Sequence, residues 1–324
     1  MNEITIEDVT KTYGDVTSLD DVSLSIPSGS TFGLLGTNGA GKTTLFRLLI
    51  GHEYPDTGTL EIAGLSPDEG ASIRQRVGYL PENAGFPASF TGREVLSFHA
   101  DVRGVPPVSK ADSIADVLDT VGLSDAADRR VGGYSNGMNR RLSLATVLIA
   151  EPSVLLLDEP FSGLDPIGVD ALNSVIDRLA TETSMTIVLT SHTLVEAERI
   201  CDRIAILDDG RVQLSGSTDE LRQSVGDTVT VQFRTVDGEA LSRVTDKLRN
   251  AEMVRTVERP TEERLRVRCA RDDVFDVISV VHESVTVDGF EVHEPNLDDV
   301  FHNAVRPDTE TSSRAAAPLQ DGGG

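Results

Sequence analysis

Three short segments of this chain carry residue types and spacings suited to phosphate chemistry. The first, Gly36-Thr37-Asn38-Gly39-Ala40-Gly41-Lys42-Thr43, fits G-x-x-x-x-G-K-[ST] and is followed by Thr44. Glycines at these places let backbone N–H groups converge on phosphate oxygens. Lys42 then bridges the outer phosphates, and the Thr43 hydroxyl ligates Mg²⁺. A tight strand–helix turn explains the glycines but not Gly41-Lys42-Thr43-Thr44. The second segment is Val154-Leu155-Leu156-Leu157 running into Asp158-Glu159-Pro160. A buried apolar strand there delivers two carboxylates to the sheet edge where ligands bind: Asp158 as Mg²⁺ partner, Glu159 to polarise an attacking water. Standing alone, that acidic pair would read equally well as a helix N-terminus. The third is Ser135-Asn136-Gly137-Met138, preceded by Tyr134 and followed by Asn139-Arg140-Arg141. Ser135 and the backbone at Gly137 open a helix, a second place where an anion is favoured.

Such groups need a scaffold, and the pattern supplies one. Ile4–Ile6 and Val22–Ile26 alternate as strands. Thr31–Leu35 is a short apolar strand running straight into the glycine loop, and an apolar helix follows over Leu45–Ile50. Thr59–Ile62 and Val77–Leu80 read as further strands. From about 86 to 150 the periodicity becomes helical, over Thr91–Val102, Lys110–Val121 and Ser135–Ala150. Strands return at Val154–Leu157, Thr186–Thr190 and Arg203–Leu207. They alternate with helices at Val169–Thr181 and Leu194–Cys201, and Asp208-Asp209-Gly210 turns a hairpin into Arg211–Leu214. This alternation predicts an α/β sheet with crossover connections. A second unit over 225–305 has the order β-α-β-β-α-β, the ferredoxin-like pattern, with a last helix over Leu297–Val305 capped by Asn296. The tail, 306–324, has too little apolar surface to pack and is expected to be disordered.

With these residues in order, the chain resembles the ATP-binding cassette (ABC) family, strongly over about 1–220. Tyr134–Met138 resembles the family signature in the variant form of ABC-2-type exporters, keeping Ser135 and Gly137 of the common L-S-G-G-Q. The resemblance implies an α/β P-loop cassette: a RecA-like core with an antiparallel β subdomain and a helical subdomain over about 86–150, in a domain spanning 1–222. It implies that Tyr13 stacks on adenine, that Ser162 and Asp165 belong to the loop communicating across a dimer, and that His192 contacts the γ-phosphate. It implies that Ser135–Met138 face the ATP held by a second subunit, so that a homodimer closes around two ATP and Mg²⁺. It further implies that a separate membrane permease docks between the Glu82 loop and the helical subdomain, placing the chain at the cytoplasmic face of the membrane. One position departs from the pattern. The family normally has Gln after the Val77–Leu80 strand, whereas here Pro81 is followed by Glu82. Position and sensing role carry over; Glu82 is nearly isosteric with Gln and can still ligate Mg²⁺ or hold water, at the cost of added negative charge beside ATP. A narrower resemblance, over Gly78–Asn83, Gly85-Phe86 and Thr91–Glu94, is to the ATPase subunits of transporters for nitrous oxide reductase maturation. Related exporter ATPases for drugs, sodium or polysaccharide share much of this texture.

Composition bounds the alternatives. The chain has 324 residues with 29 basic and 53 acidic side chains, a formal net charge of −24. Only Lys11, Lys42, Lys110 and Lys247 are lysines. Nucleic-acid binding draws on phosphate neutralisation, so this surface argues against a DNA or RNA partner. Carboxylates replacing lysine along the whole chain fit a salty cytoplasm, hence a halophile, better than one acidic docking patch. No stretch approaches the ~20 apolar residues of a membrane span, and the N-terminus lacks the basic and apolar regions of a secretory signal. Cys201 and Cys269 lie far apart, which excludes a disulfide framework, and the histidines show no metal-ligand spacing. Two other classes stay open. One is an ATP switch protein of the same superfamily not coupled to transport; the other is a binding module that has lost hydrolysis, against which intact Lys42, Asp158, Glu159 and His192 argue.

Overall fold

The computed structural model describes residues 2–224, 228–235, 238–249, 251–261 and 263–293. The chain divides into two compact units, Met1–Thr218 and Asp219–Gly324. The first unit is built on two sheets. Strands β1 (Asn2–Tyr13), β2 (Val16–Pro27) and, after β3 (Thr31–Leu35) and α1 (Lys42–Leu49), β4 (Thr57–Ile62) form an antiparallel sheet in the order β2-β1-β4. After α2 (Gly70–Arg76) comes β5 (Val77–Leu80). The helices α3 (Gly92–Arg103), α4 (Lys110–Thr120) and α5 (Asn136–Leu148) follow, then β6 (Val154–Leu157), α6 (Pro166–Glu182), β7 (Thr186–Ser191), α7 (Leu194–Ile200), β8 (Arg203–Asp208) and β9 (Arg211–Ser217). The six-stranded sheet runs β5-β6-β7-β3-β8-β9, parallel except for the edge strand β9.

Every residue of β3, β6 and β7 is buried, because a parallel sheet is covered on both faces; this is why these strands read as continuous apolar runs. The antiparallel sheet packs its inner face into the same core. Ile4, Ile6, Val22, Leu24 and Ile26 join Phe46 and Leu49 of α1 and Leu156 of β6. The stretch 86–150 holds α3, α4 and α5. Thr91 starts α3 with a reciprocal capping box: its hydroxyl accepts from the Glu94 N–H at 3.2 Å, and the Glu94 carboxylate accepts from the Thr91 N–H at 2.8 Å.

Strands β1 and β2 run well beyond the alternating segments Ile4–Ile6 and Val22–Ile26. Their pairing carries register shifts between Ile6 and Val9 and between Val9 and Lys11, and Asp8 sits at φ 51°. Each bulge flips the inside–outside alternation, which hides a bulged strand from a period-2 reading. Helix α2 and α8 (Thr218–Ser224) are short and were not expected from periodicity. The turn at Asp209-Gly210 has both residues at positive φ, 49° and 76°, which is the two-residue hairpin geometry expected there.

In the second unit β10 (Thr228–Arg234), α9 (Gly238–Arg249), β11 (Val254–Thr261), β12 (Arg264–Ala270), α10 (Val274–Ser284) and β13 (Gly289–His293) follow the anticipated β-α-β-β-α-β order. The sheet, β11-β12-β10-β13, is antiparallel throughout. Val231, Phe233, Leu265 and Val267 face Leu241, Val244, Val277 and Val281 of the helices. The expected helix over Leu297–Val305 and the tail over 306–324 lie outside the described residues.

Candidate functional site

Strands β3, β6 and β7 are neighbours, and their C-terminal ends carry the chemistry. The Gly36–Thr43 loop leaves β3, Asp158-Glu159 leave β6, and His192 leaves β7. Two glycines are required by the packing. A Cβ on Gly36 would stand 2.2 Å from the Leu207 carbonyl oxygen. Gly41, at φ 106°, would place one 2.5 Å from the Ser18 carbonyl oxygen. The loop is thereby held against β2 and β8 and hands over to α1 at Lys42. Thr44 reinforces this seat, its hydroxyl 2.8 Å from that of Ser18.

Lys42 is buried, with Nζ donating to the carbonyls of Gly36 at 2.7 Å and Thr37 at 3.1 Å. The same ammonium lies 3.4 Å from Glu159 Oε1. The other carboxylate oxygen of Glu159, Oε2, is 2.9 Å from His192 Nδ1. Glu159 adopts φ 42°, a left-handed conformation that costs a non-glycine residue of order 1 kcal/mol. Its N–H is met by the Thr190 hydroxyl at 2.8 Å. That hydroxyl in turn donates to Asp158 Oδ1, also at 2.8 Å. Asp158 accepts from Thr43 Oγ1 at 3.3 Å and, on Oδ2, from the Tyr79 hydroxyl at 3.2 Å. Burial and the adjacent Asp158 carboxylate push the Tyr79 phenol up to about 12, so Tyr79 is a donor at neutral pH.

The donor set suits Mg²⁺. Thr43 Oγ1 and the Asp158 carboxylate offer hard oxygens side by side, and buried Glu159 Oε1, ion-paired to Lys42, accepts no hydrogen bond among the described residues. Among the described residues no group of three or more His, Cys, Asp or Glu forms a self-sufficient metal cage. Mg²⁺ characteristically takes one or two protein oxygens and fills its octahedron with water and substrate phosphates.

The remaining expected site residues fall into separate places. Tyr13 ends β1 with its ring 41% exposed and its hydroxyl donating to Glu53, while Lys11 Nζ lies 5.5 Å from the ring centroid. Ser135 caps α5, its hydroxyl accepting from the Met138 N–H at 3.2 Å. A Cβ on Gly137 would lie 3.1 Å from Gly168 Cα, so α5 and α6 start close together. Asp165 caps α6 through Gly168 N–H at 2.8 Å, and the Ser162 hydroxyl donates to Glu82 Oε1 at 3.3 Å. Among the described residues no hydrogen bond or ion pair joins Ser135–Met138 to the Gly36–Thr44 loop. Thr190, Tyr79 and Arg140 were missed in the sequence. The first two are polar residues in largely apolar strands, and only pairing with β6 shows what they face.

Tyr79–Pro81, Asn83–Pro87, Phe90, Val95, Phe98, His99 and Arg103 line a cavity of about 600 Å³ between the Glu82 loop and α3. Phe98 is 60% exposed on its wall. Among the described residues no helix is long and apolar enough to cross a membrane.

The chain is similar to known proteins of one family. The family described as ABC transporter matches residues 19–162. The daunorubicin/doxorubicin resistance ATP-binding protein DrrA of Streptomyces peucetius is 32% identical over 295 residues, covering 90% of this chain and 88% of the relative. The bacitracin transport ATP-binding protein BcrA of Bacillus licheniformis is 39% identical over 206 residues, covering 63% and 66%. Among solved structures, cbiO1 from Clostridium perfringens, part of the ABC transporter complex cbiONQ, superposes with a TM-score of 0.62 at 27% identity, over 69% of this chain and 94% of that one.

Proposed function

The chain belongs to the ABC transporter family as an ATP-hydrolysing subunit, and from that premise we propose that it closes as a homodimer around two ATP·Mg²⁺ and drives an ABC-2-type export permease. The observation that carries the reading is the continuous cluster Lys42–Glu159–His192 and Thr43–Asp158–Thr190 at the ends of three adjacent strands. Lys42 and the loop N–H groups hold the β- and γ-phosphates. Thr43 and Asp158 would hold Mg²⁺, which neutralises phosphate charge when bound. Glu159 polarises the attacking water, with His192 at its second oxygen to contact the γ-phosphate, and catalysis is positioning and charge stabilisation of in-line transfer. Tyr13 offers its exposed ring face to adenine.

A dimer is proposed because Ser135–Met138 form a helix start that, among the described residues, makes no hydrogen bond or ion pair with the loop of its own chain. A two-fold axis places that segment on the partner's ATP, making the nucleotide the glue. Glu82 is proposed to act through Ser162 rather than through the metal. The apolar cavity between the Glu82 loop and α3 is the proposed seat of a permease helix. Of the residues behind the narrower resemblance, Tyr79–Pro81, Asn83 and Gly85-Phe86 line this cavity, while Gly78, Glu82 and Thr91–Glu94 do not. Those that line it bear on which permease is engaged. Relatives named for daunorubicin/doxorubicin resistance and bacitracin transport favour an organic cargo moved outward. On this reading the subunit works at the cytoplasmic face of the membrane.

The test is Glu159→Gln with ATP and Mg²⁺, followed by light scattering. The variant is expected to accumulate as a dimer that Lys42→Ala abolishes, and the full complex is expected to copurify with a polytopic membrane protein. A Glu159→Gln variant that stays monomeric while wild type hydrolyses ATP refutes the scheme.

A further inference from the structure

Arg140 lies on the first turns of α5, just past Ser135–Met138, and its side chain turns inward rather than toward solvent. Nε donates to the Pro160 carbonyl at 2.8 Å. Nη1 donates to Pro81 at 2.7 Å and Glu82 at 2.8 Å. Nη2 donates to Asp158 at 2.8 Å and Glu159 at 3.0 Å. A guanidinium has five N–H donors in one plane, and here each meets a main-chain carbonyl. Two consecutive carbonyls belong to the loop leaving β5, and three consecutive ones to the segment leaving β6. The adjacent Arg141 points the other way, donating to Val121 at 2.8 Å and Gly122 at 3.0 Å at the end of α4. Burial pulls the Arg140 pKa down to about 10, opposed by Asp158 and Glu82, so the group is charged at neutral pH.

We propose that Arg140 is a positioning residue for hydrolysis, holding the Glu159 backbone and passing displacement of the Glu82 loop to the Glu159 carboxylate. Glu159 sits at φ 42°, so the direction of its carbonyl and the aim of its side chain are set together, and Arg140 grips that carbonyl. The Glu82 loop forms a wall of the apolar cavity, through Pro81, Asn83 and Gly85. A helix pressed into that cavity shifts the carbonyls of Pro81 and Glu82, and the rigid fork conveys the shift to Asp158–Pro160 without any change at the phosphate loop. Lysine cannot substitute, since an ammonium offers three donors from one point and cannot span two loops in a plane. The inference rests on the assignment of Glu159 as the residue that polarises water.

The experiment compares Arg140→Lys, Arg140→Ala and Glu159→Gln in the full chain by steady-state ATP hydrolysis. Both Arg140 variants are expected to lose at least 30-fold in kcat with KM for ATP within 3-fold. Ethylguanidinium is expected to restore at least 5-fold to Arg140→Ala, and ethylammonium at the same concentration to restore nothing. Arg140→Lys carries the kcat comparison alone if Arg140→Ala does not fold. Wild-type kcat in Arg140→Lys, a KM that rises as much as kcat falls, or equal rescue by both ions overturns the proposal. If Glu159→Gln is inactive while Arg140→Lys is not, only the Arg140 inference falls; if Glu159→Gln turns over normally, the Glu159 assignment falls first.

Discussion

Thr190 gives the sharpest test of the site, because one hydroxyl serves two purposes. It donates to Asp158 Oδ1 at 2.8 Å and accepts from the Glu159 N–H at 2.8 Å, in a fully buried residue. Thr190→Val keeps the shape and removes both bonds. A hydrogen bond to a charged group contributes about 1.5–3 kcal/mol, and a buried N–H left unpaired costs about 1–3 kcal/mol. Asp158 keeps Thr43 and Tyr79, so the two losses do not add in full, and about 2–4 kcal/mol is expected. For a unit of this size each kcal/mol moves the melting temperature by roughly 2–4 °C, which gives a drop on the order of 10 °C by calorimetry. The freed Glu159 N–H also releases the residue proposed to polarise the attacking water. If about 1.4 kcal/mol of the loss reaches the transition state, turnover falls about tenfold. Thr190→Ser is the control: it keeps the hydroxyl and loses one methyl group, so it should melt within a few degrees of wild type and retain most activity. A Thr190→Val protein that melts within 2 °C of wild type and hydrolyses ATP at the wild-type rate refutes the claim that this hydroxyl organises the site.

Two other outcomes follow from the geometry. Gly36→Ala drives a Cβ against the Leu207 carbonyl and close to the Ala40 Cβ, with no flexible side chain to yield. It should cost about 3 kcal/mol and abolish ATP binding, read by calorimetry and by nucleotide titration. The net charge of −24 predicts stability that rises with salt. Between about 0.1 M and 1 M KCl the screening length falls from ~10 Å to ~3 Å, so the melting temperature should climb by several degrees, and a flat profile removes the halophile reading.

Much of the site was legible because its chemistry is encoded locally. Gly36–Thr44 names a phosphate loop from spacing alone, and the run Val154–Leu157 ending in Asp158-Glu159 names a strand that delivers carboxylates. Ser135 is a helix cap whose side-chain type announces it, whereas the Asp165 cap went unread and the helix after it was expected to start at Val169. The long β1–β2 pair was less legible, since bulges at Val9 and Lys11 break the alternation on which strand reading depends.

What the sequence by itself determined is which groups are available: one ammonium in a glycine loop, a carboxylate pair, a strand-end histidine, and the elements that carry them. Those follow from propensities and periods, which act over a few residues. Only the tertiary structure decided who meets whom. It set Thr190 and Tyr79 on Asp158, turned Ser162 to Glu82, and drew five carbonyls of two loops onto Arg140. The physical reason is that strand order is a global outcome. β7 lies between β6 and β3 because the whole core packs that way, and no local period in the chain records which strand ends will share an edge.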